Sequence, residues 1–442
     1  MSSPEGVDLV RESGGVLALN VGGAGLSFVI QLLLARGLGA EQFGLYVLVM
    51  SWVFFLVLVS RLGLDALLLR FAAAYRTVGE FGYLRGLIKW VGGVVLGVSS
   101  LCAAALLAGV GVLVGSTAAA LPCFVVGAAL VPLLAILHTN KSILLALGHP
   151  VLALVPDQIV RPSLLIVTVV VAGYALGIRL SAAFVMALAT GSTLLALAIG
   201  IGWLFARLPI QARTFRGQYR VSEWLGVSLS LGVVTVAESV AARSDVMILG
   251  FYRAGGDVGV YGAALAVASV LEFLVGAVTF VLAPRFAQPH AHDQPAQVQR
   301  LLTRSVVVLL AATVPVAAAI VLFGGDILAI FGKDFTGGHG VLQLIVASQL
   351  VVPFTGPMGL VLSMTGHHRS FAVATVVTAL ANLLLLLVLV SAYGTIGAAA
   401  ARVGAAVIRG AVLGTIAWLR IGVMPTPFAS LLVGRLRGER AS

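Results

Sequence analysis

The chain has 442 residues, of which 60% are hydrophobic and 10% are charged. Soluble proteins carry roughly 25% charged residues, so this composition excludes a soluble globular protein and predicts an integral membrane protein. The charged residues comprise 27 Lys and Arg against 16 Asp and Glu, a net charge of +11. Lys and Arg accumulate in the cytoplasmic loops of membrane proteins. We therefore interpret the excess as a topology signal and not as a nucleic-acid-binding surface.

The amino-terminal segment, residues 1–13, is polar and partly acidic. It lacks the basic region and the small-residue cleavage site of a signal peptide, so we expect the first apolar segment to remain as a helix. A membrane helix needs about 20 mostly apolar residues, and twelve segments meet this condition. They lie near 15–35, 45–69, 91–113, 118–137, 151–174, 181–206, 224–251, 259–284, 305–324, 340–362, 371–391 and 396–419. The prediction is an all-α polytopic membrane protein with twelve transmembrane helices.

The distribution of positive charge indicates the orientation. With the amino terminus inside, 18 Lys and Arg residues fall in cytoplasmic segments and four fall outside, namely Arg36, Arg179, Arg253 and Lys333. The positive-inside rule then places both termini in the cytoplasm. We expect a multi-pass protein of the cell inner (cytoplasmic) membrane.

An internal repeat relates the two halves of the chain at an offset of 215 residues. The strings GLY at 44–46 and RFA at 70–72 correspond to GVY at 259–261 and RFA at 285–287. Six helices per half give both repeats the same orientation, so a pseudo-twofold axis would run along the membrane normal. Transporters built from parallel repeats move two lobes about a site near the middle of the membrane.

The repeat predicts a division into two six-helix lobes. We expect the amino-terminal lobe at 1–206, a cytoplasmic linker at 207–223, and the carboxy-terminal lobe with a short cytoplasmic tail at 224–442. The linker would act as the hinge.

Five strings resemble the polysaccharide-transporter branch of the multidrug/oligosaccharidyl-lipid/polysaccharide (MOP) flippase superfamily. They are ARGLGAEQFGLY at 35–46, LGLDALLLRF at 62–71, DVMILGFY at 245–252, VLAPRF at 281–286 and MTGHH at 364–368. The resemblance implies the MATE-like fold of that superfamily. It also implies a flippase that moves an undecaprenyl-pyrophosphate-linked oligosaccharide from the cytoplasmic to the outer leaflet by alternating access. The second half departs from the pattern, because GFYRAGGDVGVY at 250–261 replaces the ARGLG string.

The resemblance also bears on substrate and partners. Members that flip the peptidoglycan precursor usually carry two further carboxy-terminal helices, so a polysaccharide repeat unit is favoured here. The implied partners are the lipid-linked glycan, the bilayer, and the glycan polymerase and glycosyltransferases of the same pathway, without nucleic acid.

Ten charged residues fall inside the predicted spans. Each costs ~2.5–3.5 kcal/mol at the centre of a membrane helix on insertion scales, so together they require a polar cavity or internal pairing. We expect functional residues among them: as substrate-binding cations Arg61, Arg161, Arg243, Arg402 and Arg409, and as coupling or gating acids Asp65, Asp157, Glu238, Asp245 and Glu272.

The spacing of these residues suggests roles and leaves alternatives open. Arg61 with Asp65, and Asp157 with Arg161, are four residues apart and share a helix face, so they either line a cavity or only fix helix packing. Arg243 and Asp245 lie near the outer end of their span and could form an extracellular gate.

Arg402 and Arg409 are seven residues apart in a helix without acids. Arginine binds pyrophosphate in bidentate fashion, so this unpaired stripe suits a lipid pyrophosphate. In the alternative, Arg402 extends to the lipid headgroups. Glu272 has no partner in its own helix and suits a coupling proton or sodium ion, or else it pairs with an Arg of a neighbouring helix.

Several function classes are excluded or disfavoured. The chain lacks the GxxxxGK[ST] phosphate loop as well as GxSxG, HExxH and CxxC, so we expect neither ATP hydrolysis nor another enzymatic activity. We predict no cofactor or metal, with Na⁺ or H⁺ as the only coupling ion considered. A cation-coupled multidrug extruder of the MATE type is the alternative. A glycan polymerase is disfavoured because the longest outer segment, 325–339, is short.

Overall fold

The computed structural model describes residues 4–114, 120–253, 255–286, 295–364 and 367–423. Helices joined by short turns account for these residues, and no strand occurs within the described ranges. Most of the predicted cytoplasmic tail, residues 424–442, lies outside them.

The helices follow one another closely along the chain. The first eight are α1 Pro4–Arg61, α2 Leu64–Val78, α3 Phe81–Val114, α4 Leu121–Ala146, α5 Pro150–Val155, α6 Arg161–Val170, α7 Ala182–Arg207 and α8 Ile210–Thr214. The others are α9 Val221–Tyr252, α10 Gly255–Phe286, α11 Pro295–Phe331, α12 His339–Gln349, α13 Val352–Met364 and α14 His368–Ile421. Two π-helical turns, Pro156–Val160 and Val171–Ala175, flank α6, and a 3₁₀ turn at Lys333–Gly338 precedes α12.

Within the described residues, ten helical stretches are long and apolar enough to cross a membrane. Two of them bend at a glycine with a positive φ, α1 at Gly39 (φ 72°) and α14 at Gly394 (φ 59°). Glycine adopts this conformation at little steric cost because it has no Cβ. Each bent helix supplies two apolar segments, so the helices of the described residues correspond to the twelve predicted spans, and the predicted helical fold is confirmed.

The predicted span at 45–69 is interrupted in the structure. Helix α1 ends at Arg61, and α2 begins at Leu64 after a turn in which Leu62 (φ 41°) and Gly63 (φ 76°) are both left-handed. Hydropathy does not detect this turn because apolar residues continue on both sides of it. A Cβ on Gly63 would also crowd the backbone of α9 near Ser228.

The chain forms two compact units. The first takes in Met1–Ser239 and Arg253–Gly259, and the second takes in Val240–Tyr252 and Val260–Ser442. Helix α9 therefore contributes to both units. The division into functional lobes at 1–206 and 224–442 stays a prediction.

In the first unit, the predicted linker is fastened to α3. The backbone N–H of Gln218 donates to the carbonyl oxygen of Gly82 (3.0 Å), and the Arg85 guanidinium donates to the carbonyl oxygen of Phe215 (2.6 Å). Gly86 has no room for a side chain because a Cβ there would overlap the Gln218 carbonyl oxygen. Residues 215–218 of the predicted linker are therefore held against α3 of the first unit.

Each unit has its own apolar core. In the first, α4 packs against α1, α3 and α7, with Leu130 and Leu134 fully buried. In the second, α11, α13 and α14 meet around Leu302, Met358 and Leu413, which are also buried. These cores hold the helices that carry the intramembrane charges.

Two glycines that are equivalent in the 215-residue repeat lie at a close approach of α1 and α10. A Cβ on Gly44 would overlap the carbonyl oxygen of Gly255, and a Cβ on Gly259 would overlap that of Ala40. Small residues let helix backbones approach in this way inside a membrane. The repeat therefore preserves glycine at these positions for a steric reason.

We expect Gly259→Ala to destabilise the protein because the added methyl group must push two backbones apart. Overpacking of this kind costs ~1–3 kcal/mol. The matched control is Gly256→Ala in the same helix, where a Cβ would have no neighbour within 4 Å. Thermal unfolding of the detergent-solubilised protein should give a lower midpoint for Gly259→Ala only, and equal midpoints would refute this packing.

Candidate functional site

In the first unit, Arg61 and Asp65 form an ion pair. The pair was predicted from a shared helix face, but it spans the turn between α1 and α2. The Ser142 hydroxyl of α4 donates to Asp65 Oδ1 (2.9 Å). The turn at 62–63 thus places Arg61, the last residue of α1, beside Asp65 in the first turn of α2. Ser142 of α4 adds a hydrogen bond to this pair.

Asp157 is the centre of a second charged cluster in the same unit. Its carboxylate is buried and pairs with Arg161 Nη2 at 3.3 Å and with Lys141 Nζ at 3.3 Å, while His138 Nε2 lies at 3.5 Å. Asp157 lies in the π-helical turn that starts at Pro156, and such turns occur frequently at functional sites.

Two members of this cluster were missed from the sequence. His138 is not among the predicted site residues, and Lys141 is one of the 18 positive charges predicted to lie in cytoplasmic segments. The available signal was their i, i+3 spacing near the end of α4, which places both on one face. Lys141 and Ser142 are neighbours, so the two clusters adjoin on α4. Positive charge exceeds negative charge across them, even with His138 neutral.

In the second unit, one guanidinium joins three helices. Arg402 of α14 pairs through Nη1 with Asp245 Oδ2 of α9 (2.8 Å) and through Nη2 with Glu272 Oε1 of α10 (2.9 Å). Opposite charges that meet in this way avoid most of the cost of a charge in hydrocarbon. The contact links residues that are more than a hundred positions apart in the chain.

The two carboxylates differ in their surroundings. The Asp245 side chain is 4% exposed, and it also accepts hydrogen bonds from the Tyr261 hydroxyl (2.9 Å) and from the Val246 N–H (2.8 Å). The Glu272 side chain is 52% exposed, and its Oε1 also accepts from Gln349 Nε2. Asp245 is therefore a fixed counter-ion, whereas Glu272 faces open space.

That open space is a cavity of about 390 Å³ in the second unit, within the ~300–1,000 Å³ typical of ligand pockets. Its charged lining residues are Arg402, Arg409 and Glu272. The other lining residues are uncharged: Ala241, Val275, Gly276, Ser348, Gln349, Val352, Thr378, Asn382, Ala405 and Ala406. Two guanidinium groups, one carboxylate and several hydroxyl and amide groups thus share a space in a predominantly apolar unit.

The remaining predicted residues have different positions. Arg243 is exposed on α9, two residues before Asp245, and lies in the electrostatic field of Asp245, Glu272 and Arg402. Glu238 is exposed on the part of α9 that belongs to the first unit. Neither residue lines the cavity of the second unit.

One expectation about these charges was wrong. The stripe of Arg402 and Arg409 was expected to be unpaired, but Arg402 has two acidic partners. For Glu272, the alternative of a pair with an Arg of a neighbouring helix is confirmed. The spacing of residues within one helix could not show the Arg402 contacts, because the partners lie on different helices.

Comparison with known proteins places this arrangement in a family. The model of the family described as "Polysaccharide biosynthesis protein" matches residues 9–290, well over half of the chain. The chain belongs to the polysaccharide biosynthesis protein family.

Two relatives from Haloferax volcanii support the assignment to this family. One, described as the probable low-salt glycan biosynthesis flippase Agl15, is 26% identical over 158 residues, which are 36% of this chain and 34% of the relative. The other, described as the probable flippase AglR, is 30% identical over 162 residues, with the same coverage. The matched region thus spans about a third of the length of each relative.

Solved structures show that this family member has the MOP superfamily fold. A structure of the lipid II flippase MurJ in an inward closed conformation matches with a TM-score of 0.73 at 13% identity, over 92% of this chain and 87% of that chain. An inward-facing multidrug-resistance MATE transporter of the MOP superfamily matches with a TM-score of 0.71 at 16% identity, over 90% of this chain and 94% of that chain. The protein is therefore a multi-pass membrane protein of the MATE-like fold.

We expect Arg402→Ala to destabilise this family member strongly, because Asp245 would remain buried without its counter-ion. Breaking a buried ion pair by removing one partner costs ~3–5 kcal/mol. Glu272→Gln should cost ~1 kcal/mol or less, since the Glu272 side of the pair is half-exposed. Unfolding midpoints in detergent would measure both changes.

A double variant serves as the control for this interpretation. Asp245→Asn added to Arg402→Ala should recover part of the lost stability, because it removes the uncompensated charge. Equal losses for Arg402→Ala and Glu272→Gln would contradict the assignment of Asp245 as the fixed counter-ion.

Proposed function

We propose that the protein is a flippase that moves an undecaprenyl-pyrophosphate-linked oligosaccharide from the cytoplasmic to the outer leaflet of the cell inner membrane by alternating access. The observation that carries the proposal is the cavity of the second unit, where Arg402 and Arg409 line a space with neutral hydrogen-bonding groups. Membership of the polysaccharide biosynthesis family and the flippase descriptions of its Haloferax relatives support it.

The chemistry of the cavity matches that substrate class. A lipid pyrophosphate is a divalent anion, and planar guanidinium groups bind phosphate oxygens in bidentate fashion. Ser348, Thr378 and Asn382 also line the cavity and supply hydroxyl and amide groups for sugar or phosphate oxygens. The polyprenyl chain would remain in the lipid.

The charges of the first unit would contribute a second set of anion contacts. Arg61 and Arg161, together with Lys141, carry more positive charge than Asp65 and Asp157 neutralise. We assign Arg243 to the same role on the second unit. A substrate anion would satisfy this excess at a depth where unpaired cations are costly.

We propose the five intramembrane acids as gating or coupling groups. Asp65, Asp157 and Asp245 each pair with a cation, so they would hold that cation in place until the substrate arrives. Glu272 and Glu238 are the exposed acids and would be the ones to exchange a proton or a sodium ion with the aqueous phase. No cofactor is required by this scheme.

The cavity also bears on the alternative of a multidrug extruder. Organic cations are bound by carboxylates and aromatic faces, whereas the charged lining here consists of two guanidinium groups and one carboxylate. This lining favours an anionic substrate over a cationic drug.

We expect Arg409→Ala and Arg61→Ala to lower glycan export at least about tenfold in a host that depends on this gene, because each removes a charge-assisted hydrogen bond to the substrate. Arg253→Ala is the matched control, since Arg253 is an exposed cation in a turn. Arg409→Lys should retain part of the activity because the positive charge remains.

Two results would argue against this assignment. Unchanged export in both alanine variants would contradict the cationic substrate site. Resistance of a drug-sensitised host to organic cations, conferred by the wild-type chain, would favour the multidrug alternative.

The orientation can be tested independently. We expect both termini in the cytoplasm because Lys and Arg are concentrated in the segments that this topology places inside. A fluorescent-protein fusion at the carboxy terminus should fluoresce, and an alkaline-phosphatase fusion after Arg179 should be active. The reverse pattern would contradict the predicted topology.

A further inference from the structure

We propose that His138 is the proton-binding residue of the anion site in the first unit, so that the substrate anion and a proton bind there together. The inference rests on the proposed function and deepens it, because it makes substrate binding depend on pH through a named residue. The residues involved form the first-unit cluster, which consists of Arg61, Asp65, His138, Lys141, Asp157 and Arg161.

The first observation is the position of the His138 ring. Its Nε2 lies 3.5 Å from Asp157 Oδ2, and Lys141 Nζ lies 3.3 Å from the same oxygen. The other ring nitrogen, Nδ1, is buried and has no hydrogen-bond partner among the described residues. A neutral imidazole carries one proton, and its second nitrogen is an acceptor. With the proton on Nε2, towards the carboxylate, Nδ1 is the atom that can take up a second proton.

The second observation is that the charges around this ring oppose each other. The Asp157 carboxylate attracts a proton on His138, whereas Lys141 and Arg61 repel it. An anion bound to these cations would reduce the repulsion and leave the attraction of Asp157 in place. The anion and the proton therefore favour each other's binding, and thermodynamic linkage makes this effect reciprocal.

The third observation is a pair of unused hydrogen-bond donors. The Nε atoms of Arg61 and Arg161 are buried and have no hydrogen-bond partner among the described residues. Buried polar groups are nearly always hydrogen-bonded, so these two N–H groups require an acceptor. The ion pairs of the cluster also comprise three cationic side chains and two carboxylates. A phosphate oxygen would supply both an acceptor and negative charge.

The other titratable groups of this region do not replace His138 in the role. Helix α4, which carries His138 and Lys141, packs against α1, α2, α3, α5 and α7 and the π-helical turn. No ion pair of the cluster within the described residues involves α3 or α7, and α5 contains no titratable side chain. The titratable and charged groups from the remaining elements are Arg61 and Tyr46 of α1, Asp65 of α2, and Asp157 and Arg161 of the π-helical turn and α6. Of all these residue types, only histidine has an unperturbed pKa near neutral pH.

This arrangement has a consequence for substrate binding. A lipid pyrophosphate brings negative charge into a predominantly apolar protein, and the burial of uncompensated charge is costly. A proton taken up by His138 would offset part of that charge while the substrate is bound. It would leave again when the substrate is released.

The experiment measures binding of N-acetylglucosaminyl farnesyl pyrophosphate to the full-length purified protein in detergent, by titration calorimetry from about pH 6 to about pH 8, where histidine titrates. Both phosphates of this probe are diesters, so it lacks the ionisation near pH ~6 of a terminal phosphate. We expect the wild-type affinity to fall as the pH rises, by at most about tenfold per pH unit, because one proton is linked to binding. Buffers of different ionisation enthalpy should show proton uptake with the probe.

Two variants of His138 and one control test the assignment. His138→Gln should bind the probe with little dependence on pH and without this proton uptake, because an amide does not titrate. His138→Lys carries a fixed positive charge, so it should bind more tightly than His138→Gln at about pH 8 and also with little dependence on pH.

His339→Gln is the matched control, because His339 belongs to the second unit, contacts Gln343 (2.9 Å) and does not line the cavity. It should keep the wild-type pH dependence. The unfolding midpoint of each variant verifies that it is folded. If His138→Gln binds no probe, His138→Lys decides: pH-independent binding supports the inference, and the wild-type pH dependence contradicts it.

Two further results would overturn the inference, and they can be told apart. If the wild type binds the probe, Arg161→Ala weakens that binding, and wild type and His138→Gln show the same pH dependence and proton uptake, the role of His138 is wrong and the proposed function stands. A wild-type affinity that does not change with pH has the same meaning. If the wild type binds no probe at any pH, the proposed function fails and the inference fails with it.

Discussion

The structure depends on one constraint, which is that an ionised side chain inside the bilayer needs an opposite charge or a polar cavity. Both units meet this constraint with a buried carboxylate surrounded by donors. In the first unit Asp157 faces Arg161, Lys141 and His138, and in the second Asp245 faces Arg402 and Tyr261. These contacts join helices from distant parts of the chain, so helix packing and charge placement are determined together.

The same constraint connects the helix geometry to the proposed activity. Positive charge exceeds negative charge in the first-unit cluster, so a bound anion would complete that arrangement. In the second unit Asp245 and Glu272 both pair with Arg402, and Arg409 is a further cation in the cavity lining. The pair between Arg402 and Glu272 is the most accessible of these contacts, because its carboxylate is half-exposed while Asp245 on the other side is buried.

The fold was largely predictable because its main determinant is visible along the chain. A segment of about twenty mostly apolar residues indicates a membrane helix, and the helices that the structure describes correspond to the predicted spans. The turn at Leu62 and Gly63 was not predicted because it lies within an apolar segment. Hydropathy carries no information on backbone conformation. The repeat predicted the equivalence of Gly44 and Gly259, and the structure supplies its steric reason.

The site was predictable only where its residues are close together in the sequence. The pairs Arg61 with Asp65 and Asp157 with Arg161 follow from i, i+4 spacing, and both are present. The contacts of Arg402 with Asp245 and Glu272 cross between helices more than a hundred residues apart, and a single sequence contains no information on such proximity. His138 and Lys141 were overlooked for a related reason, since their partner Asp157 lies on a different helix from theirs.

The central claim is that this member of the polysaccharide biosynthesis family moves a pyrophosphate-linked glycan lipid across a bilayer with the help of its intramembrane cations. The most direct measurement uses the purified protein in liposomes with a fluorescent polyprenyl-pyrophosphate-linked oligosaccharide, and follows its exposure at the opposite leaflet by quenching. The account predicts that wild-type protein speeds translocation well above protein-free liposomes, that Arg409→Ala loses most of this gain, and that Arg253→Ala keeps it. Equal translocation rates for wild type, Arg409→Ala and protein-free liposomes would contradict the account.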